Sequence, residues 1–168
     1  MTIEWSNLSS GLLGAVVGFL GSVFLNWKAE RSMRKGAGRA VLMEMLTGAD
    51  LAVSLLGTAQ PHRFPDALWL SQAPHVALAL KWQDLDKLVQ AYDASSRLSD
   101  CVRDGDFVSR VQQEDRKAVN ICLDVAQAFL NAIDALRAIG LLTRAERESF
   151  NKRFEQLRGQ VSVRQGKS

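Results

Sequence analysis

The sequence predicts an all-α protein: a single N-terminal transmembrane helix followed by a cytoplasmic bundle of three to four helices. Three observations predict it. From Trp5 to Trp27 the chain has no charged residue, a run of 23. Residues 28–39, which follow directly, carry five cations. Beyond residue 40, apolar residues recur at three- and four-residue spacing, and no stretch alternates with the period of a strand. A chain of 168 residues, 47% apolar and 23% charged, is enough for one domain with its own core and excludes a disordered or collagen-like protein. Two cysteines and two histidines are too few for a disulfide framework or a zinc cluster.

The first element is the membrane segment, residues 8–27. As a helix it rises about 30 Å, the thickness of a bilayer's hydrocarbon core. Ten of its residues are Leu, Val or Phe, and each favours insertion by about 0.3–0.6 kcal/mol near the centre. Trp5 and Trp27 bracket the run about 33 Å apart, where indole rings occupy the two headgroup levels. A cleaved signal peptide needs a basic start and a small-x-small cleavage site. Here the start holds only Glu4, and Leu25-Asn26-Trp27-Lys28 is bulky and then charged.

The span has a small-residue face. Gly11, Gly14, Ala15, Gly18, Gly21 and Ser22 fall within an arc of about 120°. Gly14-x-x-x-Gly18 and Gly18-x-x-x-Ser22 let two helix backbones approach closely, so this face is the candidate helix–helix contact of a homo-oligomer.

Lys28, Arg31, Arg34, Lys35 and Arg39 come next, opposed only by Glu30. No Lys or Arg precedes the span, so the positive-inside rule puts the C-terminal domain in the cytoplasm and residues 1–7 outside. With Trp5 and Trp27, these cations form the candidate membrane interface. Their reading is topology and snorkelling rather than recognition of a particular lipid. The remaining 16 basic residues are balanced by 16 of the 18 acidic ones, so the bundle is neutral and no nucleic-acid surface is expected.

Gly36 and Gly38 each weaken a helix by about 1 kcal/mol relative to alanine, which suggests a bend there. Leu42, Met45, Ala49, Ala52, Val53 and Leu56 then mark an amphipathic helix ending near Gly57. All three prolines, Pro61, Pro65 and Pro74, define an irregular stretch, with Phe64, Leu68, Trp69 and Leu70 as plugs onto the bundle. His62 and His75 fall in or beside it as loop residues. A second helical stretch starts after Pro74 and runs to about Cys101, with Leu78, Leu85, Leu88, Val89 and Tyr92 along one side and Trp82 near it. Asp104-Gly105-Asp106 makes a turn.

A long third helix spans 107–139, with Val111, Ala118, Cys122, Val125, Phe129, Ala132, Ile133 and Leu136 as its stripe. Gly140 supplies a left-handed cap over which Leu141 packs. Thr143-Arg144-Ala145-Glu146 is a capping box opening a last helix with Phe150, Phe154 and Leu157 on one side. Gly159 ends that helix, and residues 160–168 form a disordered polar tail. The bundle therefore occupies 40–159, joined to the span by the basic segment 28–39.

Two segments carry a resemblance: Arg39-Ala40-Val41-Leu42-Met43-Glu44-Met45-Leu46, after a basic stretch, and Leu85-Asp86-Lys87-Leu88-Val89-Gln90-Ala91-Tyr92. In this order the chain resembles a loose group of small membrane-anchored bacterial proteins of unknown function. The resemblance implies architecture and transfers no activity.

No phosphate loop, dinucleotide fingerprint, nucleophile elbow or His-Glu-x-x-His motif occurs. Asp84 and Asp86 point to different sides of a helix. Cys101 and Cys122 read as packing residues, and Glu44 as a buried partner of Arg97 or Arg137. No enzyme, cofactor or metal is expected. The reading is a non-enzymatic interaction or scaffold module on the inner membrane, with the lipid bilayer, a second copy or another protein as partner. The alternative is a membrane-active effector of the lysis or abortive-defence type, oligomerised through its span. Replacing Gly14 and Gly18 with Ile is expected to weaken self-association in a membrane dimerisation assay at least several-fold; unchanged association removes the homo-oligomer.

Overall fold

The computed structural model describes residues 5–58, 67–78 and 80–166, with side chains for 18–58, 71–78 and 80–166. Six α-helices and no strand occur among the described residues: α1 (Trp5–Thr58), α2 (Ala67–Ala77), α3 (Trp82–Arg103), α4 (Gly105–Gln112), α5 (Arg116–Arg137) and α6 (Arg144–Gln165).

α1 is one uninterrupted helix of 54 residues, about 81 Å long. The bend suggested at Gly36 and Gly38 is absent. Gly38 serves close packing instead: a Cβ there would lie 2.7 Å from Leu141 Cδ2. Gly48 does the same further along, where a Cβ would lie 2.5 Å from the fully buried Phe129 ring. Both glycines let α1 press directly onto the α5 hairpin.

These contacts also set directions. From Gly48 back to Gly38 on α1, the partner moves forward from Phe129 to Leu141, so α1 and α5 are antiparallel. On α6, Glu146 pairs with Arg39 and Arg153 with Asp50, so α6 runs parallel to α1. α3 meets α1 where the Tyr92 hydroxyl donates to the Glu44 carboxyl. If α3 ran towards the N-terminal end of α1, Arg103 and Arg116 would stand about 42 Å apart. The connection through α4 reaches about 30 Å at most. α3 therefore runs parallel to α1 and away from its N-terminal half.

The core is built around α5, which packs against α1, α3, α4 and α6. Every residue of its expected stripe is buried, from Val111 in α4 to Leu136. The long third helix is nevertheless two. Glu114 takes a left-handed φ of 56°, and Asp115 then caps α5 by accepting from the N–H groups of Lys117 (2.8 Å) and Ala118 (3.2 Å). Those backbone donors, led by Ala118, together with Arg110, hold the Asp115 carboxyl below its ordinary range. An aspartate capable of capping offers the backbone this alternative to continuing the helix.

Other elements differ from the sequence reading. Leu88 and Tyr92 are buried as expected, but the buried face of α3 continues through Ala91, Ser95 and Leu98. It leaves Val89, Trp82 and Leu78 exposed. α2 passes through Pro74, held by the fully buried Val76, and His75 is half-buried on it. Pro61, His62, Phe64 and Pro65 lie outside the described residues, as do the side chains of Leu68, Trp69 and Leu70.

α6 does not stop at Gly159. It continues to Gln165 because Val161 is buried against the bundle, so the expected disordered tail is helical up to there. Glu44 is buried as expected, but its partner is Tyr92 rather than Arg97 or Arg137. Arg97 pairs with Asp93, and Arg137 with Asp134 and Glu155.

Glycine position therefore decides the sign of a glycine-to-alanine change. Gly48→Ala gains about 1 kcal/mol of helix propensity but drives a methyl into a ring that has nowhere to go, at about 1–3 kcal/mol. Gly36→Ala meets open space and gains propensity alone. Thermal unfolding of the full chain in detergent, followed by circular dichroism, should show a lower midpoint for Gly48→Ala and an unchanged or higher one for Gly36→Ala. A stabilised Gly48→Ala contradicts the packing.

Candidate membrane-facing site

α1 is in two environments. From Ala37 onward it supplies core residues such as Leu42, Met45 and Ala52, all fully buried. From Gly18 to Met33 every residue is exposed, and none of the described residues covers this stalk. Its apolar side chains are large: Phe19 is 69% exposed, Leu25 64% and Trp27 54%. Added Cβ atoms at Gly18 and Gly21 would meet nothing within 4 Å, so this part of the expected small-residue face is open. The Ser22 hydroxyl donates to the Phe19 carbonyl at 2.8 Å, leaving no demand for water on the stalk surface there. The side chains of Trp5, Gly11, Gly14 and Ala15 lie outside the described residues.

At the lower end of the apolar stretch, aromatic and cationic groups meet. Phe24 and Trp27 rings stand 6.1 Å apart, and the Arg31 guanidinium lies 5.3 Å over the Trp27 ring. An aromatic body beneath a cationic head suits a boundary between hydrocarbon and water. Arg34 pairs with Glu30 one turn back. Lys28 and Lys35 are exposed and make no ion pair among the described residues.

Arg39 does not belong to this group. Its guanidinium reaches Glu146 at 3.2 Å and donates to the Leu141 carbonyl at 3.5 Å, fastening α1 to the α5–α6 corner. That corner forms as the sequence indicates. Gly140 has a φ of +66°, Leu141 is buried over it, and Thr143 and Glu146 complete the capping box. The Thr143 hydroxyl and N–H, then the nearby Arg39 charge, hold the Glu146 carboxyl below its ordinary range.

Two clefts open beside the corner. One, of about 600 Å³, is lined by Leu42, Arg137, Leu141, Arg147 and Asn151. Arg137 is not free to serve a ligand, being 3.3 Å from Asp134 and stacked 4.6 Å over Phe154. The other, of about 420 Å³, lies between Met43, Leu46, Phe150 and Arg153 and is mainly apolar. Neither contains a histidine or cysteine. Among the described residues no three His, Cys, Asp or Glu side chains gather as metal ligands. Cys122 sits in the core, where burial, with a smaller contribution from Cys101, pushes its thiol up to about 12.

Among the described residues, two helices are long and apolar enough to cross a membrane: Gly18–Thr58 and Arg116–Arg137. Their apolar windows are 50% and 56% buried inside the bundle, as the core helices of water-soluble proteins also are, and an N-terminal signal sequence passes the same test. No protein-family model, curated protein or solved structure matches this chain. The stalk and its flanking charges therefore carry what can be said about function.

A thiol with so high a pKa and no access is inert. Iodoacetamide near pH 8 should leave Cys122 unmodified in the folded chain and label it fully after denaturation, as read by peptide mass spectrometry. Labelling of the native protein as fast as in denaturant would contradict the packing of α5.

Proposed function

We propose that this chain is a single-pass membrane protein whose helical bundle stands on the cytoplasmic face and serves as a non-enzymatic interaction module. One observation carries the reading. A single continuous helix is core on one half and, from Gly18 to Met33, uncovered by any described residue, and that stretch bears Phe19, Leu20, Val23, Phe24 and Leu25. In water that stretch would expose apolar surface along several turns, which a monomeric soluble protein does not tolerate. In hydrocarbon it is at rest, with every backbone group bonded inside the helix.

The apolar windows of Gly18–Thr58 and Arg116–Arg137 are both about half-buried, so they belong to the bundle parts of their helices and are satisfied by packing; the uncovered stalk is a separate stretch of α1. The signal-sequence reading is disfavoured by Leu25-Asn26-Trp27-Lys28, which offers a peptidase no small residues. Orientation follows from Lys28, Arg31 and Lys35 on the bundle side of the span. A domain held at a membrane meets its partners at raised effective concentration, so modest bundle contacts with a second copy or another protein become productive.

After alkaline carbonate extraction and ultracentrifugation the full chain is expected in the pellet, and in the supernatant only when detergent is added. Recovery without detergent overturns the anchor. A C-terminal fluorescent-protein fusion should be bright and a C-terminal alkaline-phosphatase fusion inactive; the opposite pattern reverses the orientation.

A further inference from the structure

The end of the bundle from which the stalk emerges is built from three parts. One is α1 around Arg34–Gly38. The second is the α5–α6 corner, level with Gly38 through Leu141. The third is the α2–α3 connection. Trp82 lies ten residues before Tyr92 on a helix parallel to α1, so it stands about 15 Å stalkward of Glu44, level with Arg34. It is 81% exposed, and Leu78 beside it is 67% exposed. Half-buried Leu80 packs against the core just before α3, and the indole is presented outward on the first turn of that helix.

Charge at this end is net positive. Lys28, Lys35, Lys81, Arg144 and Arg147 make no ion pair among the described residues; of the nearby acids, Glu30 is engaged by Arg34, Asp84 by Lys87 and Glu146 by Arg39, which leaves Asp86 and Glu148 against those five cations. Direction adds to it. Side chains on a helix tilt towards its N-terminus. α3 and α6 both start at this end and run away from it, so Trp82, Arg144 and Arg147 lean towards the stalk.

We propose that this end of the bundle, with Trp82, Leu78 and Lys81 at the start of α3 and Arg144 and Arg147 at the start of α6, docks onto an anionic lipid surface. This rests on the reading of the stalk as a membrane anchor. With Trp27 at the hydrocarbon boundary, Arg34 lies about 10 Å beyond it, and the headgroup layer occupies about 5–8 Å of that distance. Trp82 thus reaches the headgroups with its own length. The remaining gap is narrower than a single helix, about 10–12 Å across with side chains, so it admits no folded protein partner. Indole and arginine at headgroup depth match the chemistry of that layer. The bundle is therefore held against the bilayer at two points rather than swinging on α1.

The test uses full-length chains with one tryptophan each, the others being replaced by Phe, in vesicles of phosphatidylcholine with about one-third phosphatidylglycerol. Lipids brominated near the headgroup report contact. Trp27 reports the anchor and Trp82 the docking. Both are expected to be quenched, Trp82 at least half as strongly as Trp27. Its quenching should fall roughly twofold in 1 M salt, where the Debye length shrinks to about 3 Å, and also in the Arg144→Glu/Arg147→Glu variant. Quenched Trp27 with unquenched, iodide-accessible Trp82 overturns the docking and leaves the anchor standing. If neither is quenched, the anchor reading fails and the docking with it. Iodide protection of Trp82 that rises with protein density but brings no bromine quenching assigns the face to a second copy and overturns the proposal.

Discussion

Everything in this molecule depends on α1 being one helix in two surroundings. The backbone hydrogen bonds are the same on both sides of Ala37, so the change of surroundings needs no change of secondary structure. What changes is the covering of the side chains. Beyond Ala37 the apolar face is buried mainly by α5 and α2, with α6 beside them; before it, none of the described residues covers the helix. Burial of apolar surface, at about 25 cal/mol per Å², is supplied to the second half by the bundle and to Gly18–Met33 by none of the described residues.

That continuity has mechanical consequences. Gly38 and Gly48 bring α1 into contact with Leu141 and Phe129 with no side chain between, while Arg39 and Asp50 fasten it to α6. The stalk is thus an extension of the core helix rather than a tether. Residues 39–46 and 85–92 meet within this frame: Glu44 of the first segment accepts a hydrogen bond from Tyr92 of the second. Neither residue borders the two clefts, so the pair joins α1 to α3 inside the core.

Much of the fold was legible because its signals are local. The stripe from Ala118 to Leu136 repeats at helical period, and all of it is buried. Gly140 and the Thr143–Glu146 box end one helix and begin the next through contacts three residues apart. Errors came where local signals conflict with distant contacts. Gly36 and Gly38 lower helix propensity, yet tertiary packing overrides propensity when a whole face is buried. Gly159 failed as a stop because Val161 has a place in the core. Glu114 and Asp115 broke a helix whose apolar period runs straight through them, since a cap competes with helix continuation without altering the pattern. On α3, Val89 and Leu88 are adjacent, and a periodicity locates an arc only to within about one residue step of 100°.

The chain's primary structure by itself determined which stretch avoids charge, where the cations stand beside it, and that the rest folds into helices. These are properties of composition and short spacing, and neighbours in sequence suffice to express them. Tertiary structure alone decided that Arg39 joins the bundle instead of the interfacial cations, that Glu44 faces Tyr92, and that Trp82 stands exposed at the stalk-side end. Each depends on residues tens of positions apart being brought level by the direction and register of packed helices. Direction and register are set by how bulky and absent side chains interlock, for which no short segment carries a signature.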